Sequence, residues 1–401
     1  MTDPEDQQPA GAREFDIVLF GATGFTGKLT AEYLATQLPA GSRWALAGRD
    51  QAKLAAVRAD LAGIDQRWRE LALLSADVTD LDSMRALAGR ARVLISTVGP
   101  YLRYGEPLVA ACAAAGTDYL DLTGEPEFVD LMYTRYHHQA SQTGARLVHC
   151  CGFDSIPHDL GVLFTVGQLP PEVAITVDGV VRAGGSLSGG TLHSAVNAFS
   201  RLREAAAAAK ARRRLEPRPD GRRARATATP PRRVDGLWLL PLPTIDPQVV
   251  VRSARALPGY GPDFTYHHYA GVRRLPVAVA GTLALTGVAM LAQLPPTRSL
   301  LLSRIKPGDG PSPQRRAKGW FTVRFTGRGG GRTVLTEVSG GDPGYGETAK
   351  MLGEAALCLA FDELAPSSGQ LTPAVAMGQP LIDRLIAAGI EFRVISSAES
   401  S

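Results

Sequence analysis

A chain of 401 residues, 45% hydrophobic and 20% charged, has the material for a folded core in one to three domains, which excludes a fibrous or wholly disordered protein. The net charge is +4, yet the stretch 201–233 holds twelve Lys/Arg against three Asp/Glu; the remainder therefore carries −5, which excludes a protein that is basic throughout. The four cysteines, Cys112, Cys150, Cys151 and Cys358, lack metal-type spacing and the opening residues Met1–Ala12 are polar and acidic, so the sequence predicts a cytoplasmic protein with reduced thiols, no zinc and no secretory signal.

In chain order, residues 1–13 are expected to be disordered. Strands are then predicted at Phe15–Phe20, Trp44–Ala47, Leu71–Leu74, Val93–Val98, Asp118–Leu122 and Arg146–His149. Helical stretches fall between them at Lys28–Ala35, Ala52–Leu61, Leu81–Ala88, Glu106–Ala115 and Glu127–Thr143. Strands alternating with helices indicate an α/β fold with a parallel, doubly wound Rossmann sheet, here over residues 14–165. Beyond Pro170 the pattern becomes α+β. Strands are expected at Ala174–Val181, Gln248–Ser253, Phe264–Tyr269, Trp320–Phe325 and Arg332–Val338, the last two joined as a hairpin through Thr326–Gly331. Ser188-Gly-Gly-Thr191 opens a predicted helix reaching Arg214. This second domain, with a mixed or antiparallel sheet, is assigned to 166–345. The helical end, Gly346–Asp362 and Ala374–Ala388, is assigned to 346–401 and expected to pack back on the first domain.

The first strand leads into Gly21-Ala22-Thr23-Gly24-Phe25-Thr26-Gly27 and then a helix. In that context glycines let backbone amides approach a pyrophosphate, and the helix N-terminus offers free N–H groups and partial positive charge. Arg49, after the second strand, stands where NAD-preferring sites place an acid. A guanidinium pairs well with a 2′-phosphate, so NADP(H) is the expected cofactor, although Asp50 follows at once. Thr97-Val98-Gly99-Pro100 after the fourth strand is expected at the carboxyl edge beside the cofactor. Asp77 either lies near the adenine or caps a helix.

Several segments together resemble the saccharopine dehydrogenase-like family: Phe20–Leu34, Leu46–Arg49, Ser96–Gly105, Asp121–Glu125, Cys151–Pro157, Ser188–Thr191, Gly341–Tyr345 and Leu371–Gly378. Within it the likeness is to the trans-acting enoyl reductases of actinobacterial polyketide lipid biosynthesis. The resemblance implies a Rossmann domain followed by a substrate and dimerisation domain, hence a homodimer. It also implies NADPH-dependent reduction of an α,β-unsaturated acyl chain, held as a thioester on a polyketide synthase that lacks its own enoyl reductase. The family also includes reductases of imines formed from amino acids, and a cofactor-binding protein without catalysis of its own is a third possibility.

Conjugate reduction needs a proton for the α-carbon and a hydrogen-bond donor for the enolate oxygen. Tyr101 and Tyr104 are candidates to face the nicotinamide. Asp154, after the sixth strand, either lines the pocket or, like Ser155, caps the next helix. His158 is a possible acid. His137–His138 and His267–His268 show no partners at metal spacing. Ser188–Thr191 either binds a substrate oxygen or forms an N-cap, and Glu125 either begins a helix or contacts ribose.

Leu275–Leu294 is uncharged and long enough for a bilayer core, but Pro276, Gly281 and Gly287 weaken it. A buried helix or an apolar hairpin with peripheral membrane contact is expected rather than a span. The basic segment 201–233 lacks interleaved aromatics, and its prolines predict a helix end and loop rather than a nucleic-acid arm. An acidic carrier protein is its functional alternative.

Overall fold

The computed structural model describes residues 13–184, 196–197, 199–219, 221–304 and 311–399. The expected disorder of residues 1–12 and the helix opening at Ser188–Thr191 lie outside the described residues.

Seven short apolar runs form one parallel sheet: β1 (Phe15–Phe20), β2 (Trp44–Gly48), β3 (Ala72–Ser75), β4 (Ala91–Ser96), β5 (Asp118–Asp121), β6 (Arg146–Val148) and β14 (Gly369–Leu371). Their order is β14-β6-β5-β4-β1-β2-β3, so connections run outward to both sides from the β1/β4 boundary. That boundary is the topological switch point of a Rossmann sheet, where the crevice for a ligand opens at the carboxyl ends. Strands buried on both faces explain the unbroken apolar runs: every residue of β2 and β5 is buried. The intervening helices are α1 (Phe25–Gln37), α2 (Gln51–Ile64), α3 (Leu81–Arg90), the single turn α4 (Tyr101–Tyr104), α5 (Glu106–Ala115), α6 (Pro126–Thr143) and α7 (Ile156–Val166).

The second sheet contains β7 (Ile175–Gly184), β8 (Arg223–Ala226), β9 (Arg232–Val234), β10 (Leu237–Pro241), β11 (Asp263–Val272), β12 (Trp320–Gly329), β13 (Arg332–Gly340) and β15 (Glu391–Glu399). Its order is β15-β13-β12-β7-β11-β10-β9, with β8 also beside β11. It is mixed, because β7 and β8 each run parallel to β11 while the other pairs are antiparallel. The expected hairpin closes later than the sequence indicates, at Gly330-Gly331, where both residues have positive φ.

Three expectations are corrected. Gln248–Ser253 is not a strand but part of α9 (Asp246–Ala256). The β-branched run Val249–Val251 imitates a strand, while Pro247 in the first turn and a buried face running through Ser253 favour helix. The arginine-rich segment is not a solvated helix end and loop. It supplies α8 (Leu202–Leu215) and the strands β8 and β9. The apolar stretch, as α10 (Leu275–Gln293), is not buried. Leu275, Val277, Val279, Leu283 and Met290 are exposed, and α11 (Pro295–Arg304) follows it directly. Among the described residues no helix is long and apolar enough to cross a membrane.

The C-terminal part returns to the first domain, as expected. α12 (Gly346–Phe361) packs against α1 and the central strands, and Gly353 leaves room for the ring of Tyr33, whose carbon an added Cβ would meet at 2.5 Å. A further helix, α13 (Gly378–Ala387), packs on α12 before β15 joins the edge of the second sheet.

Arg212 shows how the basic segment docks. It is buried between α8 and α6, bonded to Asp130 at 2.5 Å and also to Glu216, which in turn takes Arg252 at 2.8 Å. Removing one member of a buried ionic network leaves its partners charged and unpaired. Arg212→Ala is therefore expected to lower the unfolding free energy by about 3–5 kcal/mol. A denaturant titration showing less than about 1 kcal/mol, the range of surface pairs, would contradict that role.

Candidate functional site

The glycine-rich turn is built by close contacts between β1, α1 and the loop after β4. Gly21 has φ +94, and its missing Cβ would stand 2.7 Å from Thr97 Oγ1 and Val98 Cγ2. A Cβ on Gly27 would fall 2.2 Å from the carbonyl oxygen of Gly21. Both glycines are thus required by packing, and Ala22 is fully buried beneath them. Thr97 clamps the turn, its hydroxyl donating to the Gly21 carbonyl at 3.1 Å. Gly24 and Gly99 differ. Both are exposed, and an added Cβ would meet only ordinary contacts, at 3.5 Å and 3.6 Å respectively. The protein's own packing does not demand glycine there, whereas a ligand lying against the backbone would. Thr23 is exposed too, Thr26 half-buried, and Pro100 follows Gly99 through a cis peptide bond. No side chain caps α1 and no acid lies in its first turn, so its amides remain available to an anion.

Beyond the turn, a depression of about 630 Å³ is lined by Thr23, Arg49, Asp50, Gln51 and Lys53. Asp50 is turned away from a ribose role: it caps α2, accepting from Lys53 N at 3.0 Å, which holds its carboxyl below the usual value. The exposed Arg49 and Lys53 therefore offer cations where a 2′-phosphate would sit. Asp77 is not the cap of α3, since Asp80 fills that position. Its carboxyl accepts from Thr79 N and Oγ1, each at 2.9 Å, and lies below its ordinary pKa mainly through these bonds, with the Arg49 charge contributing. These features fit NADP(H), with the pyrophosphate at the turn and the adenosine phosphate at Arg49.

The other side of the crevice corrects several expectations. Tyr101 is buried, and its hydroxyl donates to the Ser96 carbonyl at 3.0 Å and accepts from Leu122 N at 3.2 Å. Burial pushes its pKa well up, with the nearby Asp121 charge adding to the effect. It ties two loops together and has no proton to spare for a substrate. Tyr104 is half-buried, its ring covered by the Arg103 guanidinium at 4.9 Å. Glu125 stands at the start of α6, while its carboxylate accepts from Tyr101 N and Leu102 N at 3.2 and 2.9 Å and so caps α4.

Asp154 remains chemically open. Ser155 occupies the cap position of α7, but its hydroxyl donates back to the Asp154 carbonyl, and neither side chain caps the helix. Among the described residues the half-buried Asp154 carboxyl has no hydrogen-bond partner; an added Cβ on Gly124 would stand 3.0 Å from its Oδ2. Burial, reinforced by the charge of Asp246, raises its pKa to about 7. Sequence reasoning missed what holds this loop. Thr348, from α12, accepts from Phe153 N at 3.2 Å. Tyr345 meets the Phe25 ring edge-on at 4.8 Å, so the Gly341–Tyr345 motif reaches the glycine-rich turn itself. A buried pair, Asp121 and His149, was also missed. His149 Nδ1 lies 2.6 Å from the carboxylate, and its Nε2 has no partner. Acids or histidines ending adjacent strands are the sequence signal that would have found it. His137 stacks on Tyr133 and accepts from Gln370 N, and His267 pairs with Asp178, so both are structural.

Comparison with known proteins agrees with this geometry. The model of the saccharopine dehydrogenase NADP-binding domain matches residues 17–148. A relative in Mycobacterium tuberculosis H37Rv is 40% identical over 422 aligned residues, covering 96% of this chain and 98% of its own. Relatives named trans-acting enoyl reductase are 37% identical in Mycobacterium ulcerans and 38% identical in Mycobacterium bovis, each covering 94% of this chain and 97% of the relative. The solved apo saccharopine dehydrogenase (L-Glu forming) of Saccharomyces cerevisiae superposes with a TM-score of 0.54 over 95% of this chain and 99% of that one, at 13% identity, a likeness of fold.

Two substitutions test the assignment of the crevice. Arg49→Ala should weaken NADPH binding by about tenfold or more while leaving NADH binding unchanged, since one charge-assisted pair is lost. Gly24→Ala should fold with wild-type stability and bind either cofactor less tightly. Equal NADPH affinity in the wild type and Arg49→Ala, by fluorescence titration, would remove Arg49 from the site.

Proposed function

The chain belongs to the saccharopine dehydrogenase-like family that contains the mycobacterial trans-acting enoyl reductases, and on that premise we propose that this NADP-dependent oxidoreductase reduces the α,β double bond of an acyl thioester carried by a separate synthase. The observation that carries the proposal is likeness from end to end, across both domains, with relatives of that name.

The chain's residues divide the work as follows. The turn 21–27 and Arg49 bind and orient NADPH, which supplies the hydride. Conjugate addition then leaves an enolate whose α-carbon needs a proton. Asp154 is suited to give it, because a carboxyl with a pKa of about 7 is largely protonated at neutral pH and close enough to it to be an efficient acid. Tyr101 and Glu125 position the loop opposite without exchanging protons with substrate. Polyketide-derived lipid chains are the proposed substrates. The exposed cations Arg203, Lys210, Arg213 and Arg214 along α8 suit contact with an acidic carrier domain, and the exposed apolar side chains of α10 suit peripheral contact with lipid. A homodimer is the proposed assembly.

NADPH consumption assayed against enoyl thioesters of increasing chain length tests the reaction; a mixture of amino acid and keto acid is the competing substrate for imine reduction. Turnover with the mixture and none with any enoyl thioester would overturn the proposal. For Asp154 the sign is fixed by its role. The protonated form is the active one, so the rate should be full below neutrality and fall as pH rises through about 7. Asp154→Asn should lose a factor of about 10²–10⁴ in kcat with NADPH affinity unchanged. A variant with full turnover and an unaltered pH profile would exclude Asp154 as the donor.

A further inference from the structure

Behind the Asp154 loop, three elements distant in sequence converge on a small polar cluster: His158 on α7, Asp246 at the start of α9 and His268 on β11. Their side chains are 2%, 3% and 2% exposed. His158 Nε2 stands 3.6 Å from Asp246 Oδ1, and His268 Nε2 stands 3.4 Å from Asp246 Oδ2. Asp246 Oδ1 and His268 Nε2 have no hydrogen-bond partner although both are buried. Leaving buried polar atoms unmatched costs about 1–3 kcal/mol each, so such a cluster calls for an occupant.

The spacing discriminates between occupants. Direct histidine–carboxylate bonds would close to about 2.7–3.2 Å, as His149 and Asp121 do elsewhere in the chain. Groups bridged by a water, each about 2.8 Å from it, stand roughly 4.5 Å apart. Ligands held about 2.1 Å from a tetrahedral metal ion stand roughly 3.4 Å apart. The two observed separations match the last of these. The imidazole rings agree: their centroids lie 5.0 Å apart at an interplanar angle of 86°, so the rings converge without stacking.

We propose that His158, Asp246 and His268 form a binding site for one divalent transition-metal ion of the zinc type, with its remaining coordination position open. The groups around the three ligands match those of a metal site. Tyr266 Oη lies 3.0 Å from His268 Nδ1 and fixes that ring, and Thr244 donates to Asp246 Oδ2. Burial depresses the pKa of His158 to about 4, which keeps it neutral and able to ligate. One carboxylate and two neutral imidazoles suit a dication. Such an ion ties α7, and with it the loop bearing Asp154, to the second domain. It also offsets the Asp246 charge, the smaller cause of the raised Asp154 pKa, and leaves the larger cause, burial, in place.

The test uses full-length, untagged protein and does not depend on turnover. Protein purified from zinc-supplemented medium should hold about one zinc per chain by elemental analysis. After chelation, titration with Co²⁺ alone should give visible d–d absorption of a four- or five-coordinate site saturating at about one equivalent. His268→Gln should weaken Co²⁺ binding at least tenfold while keeping the wild-type circular dichroism spectrum. If that variant does not fold, the wild-type cobalt titration still decides. Protein without stoichiometric zinc that also gives no saturating cobalt absorption would overturn the site, leaving the cluster to a water or a rearranged histidine–aspartate bond.

Discussion

The approach of α1 to the end of β1 is the constraint on which the rest of the site depends. A single Cβ at Gly27 would sit 2.2 Å from the Gly21 carbonyl oxygen, so the helix can start where it does only with glycine at that position. The same contact brings the Thr97 hydroxyl onto the Gly21 carbonyl and locks the loops after β1 and β4 together at the switch point. The free amides of α1, the exposed backbone at Gly24 and Gly99, and the cations at Arg49 and Lys53 then line one continuous crevice. None of these groups binds anything by itself; the packing at Gly27 makes them neighbours.

A second theme is how polar groups near the crevice are committed or left open. Asp50, Glu125 and Tyr101 each look available in sequence, and each is occupied with backbone amides or carbonyls. Asp154 is the exception, since Ser155 bonds only to its main chain. A carboxyl without a partner in a desolvated loop is destabilising in its charged form, and that is the property a proton donor at neutral pH requires. The loop is held instead from outside, by Thr348 and the ring of Phe321. The C-terminal helices therefore complete the site as well as the core.

Much of this was legible in sequence. The Rossmann strands are short apolar runs with helices between them, a local signal, and their positions agree with the structure to within a few residues. The glycine-rich turn, Arg49 and the Thr97–Pro100 loop were identified because their chemistry is tied to fixed places on that pattern. What escaped was set by tertiary contacts. The Val249–Val251 run has strand-like side chains but a helical partner surface. The strands β8 and β9 carry alternating arginines whose charges are answered by Asp263 and Asp178, remote in the chain. β14 and β15 are extended only because an existing sheet edge accepts them. The cluster of His158, Asp246 and His268 has no sequence spacing at all, since three separate elements assemble it.

The central claim is that this crevice delivers hydride and proton across a carbon–carbon double bond. The most direct measurement is mass spectrometry of the product formed from an enoyl thioester and NADPH carrying deuterium at the transferable position. The account predicts a saturated thioester with one deuterium at the β-carbon, and a second label at the α-carbon when the reaction is run in deuterium oxide. Recovery of unlabelled, unsaturated thioester, with deuterium instead in an amine formed from an added amino acid and keto acid, would contradict it.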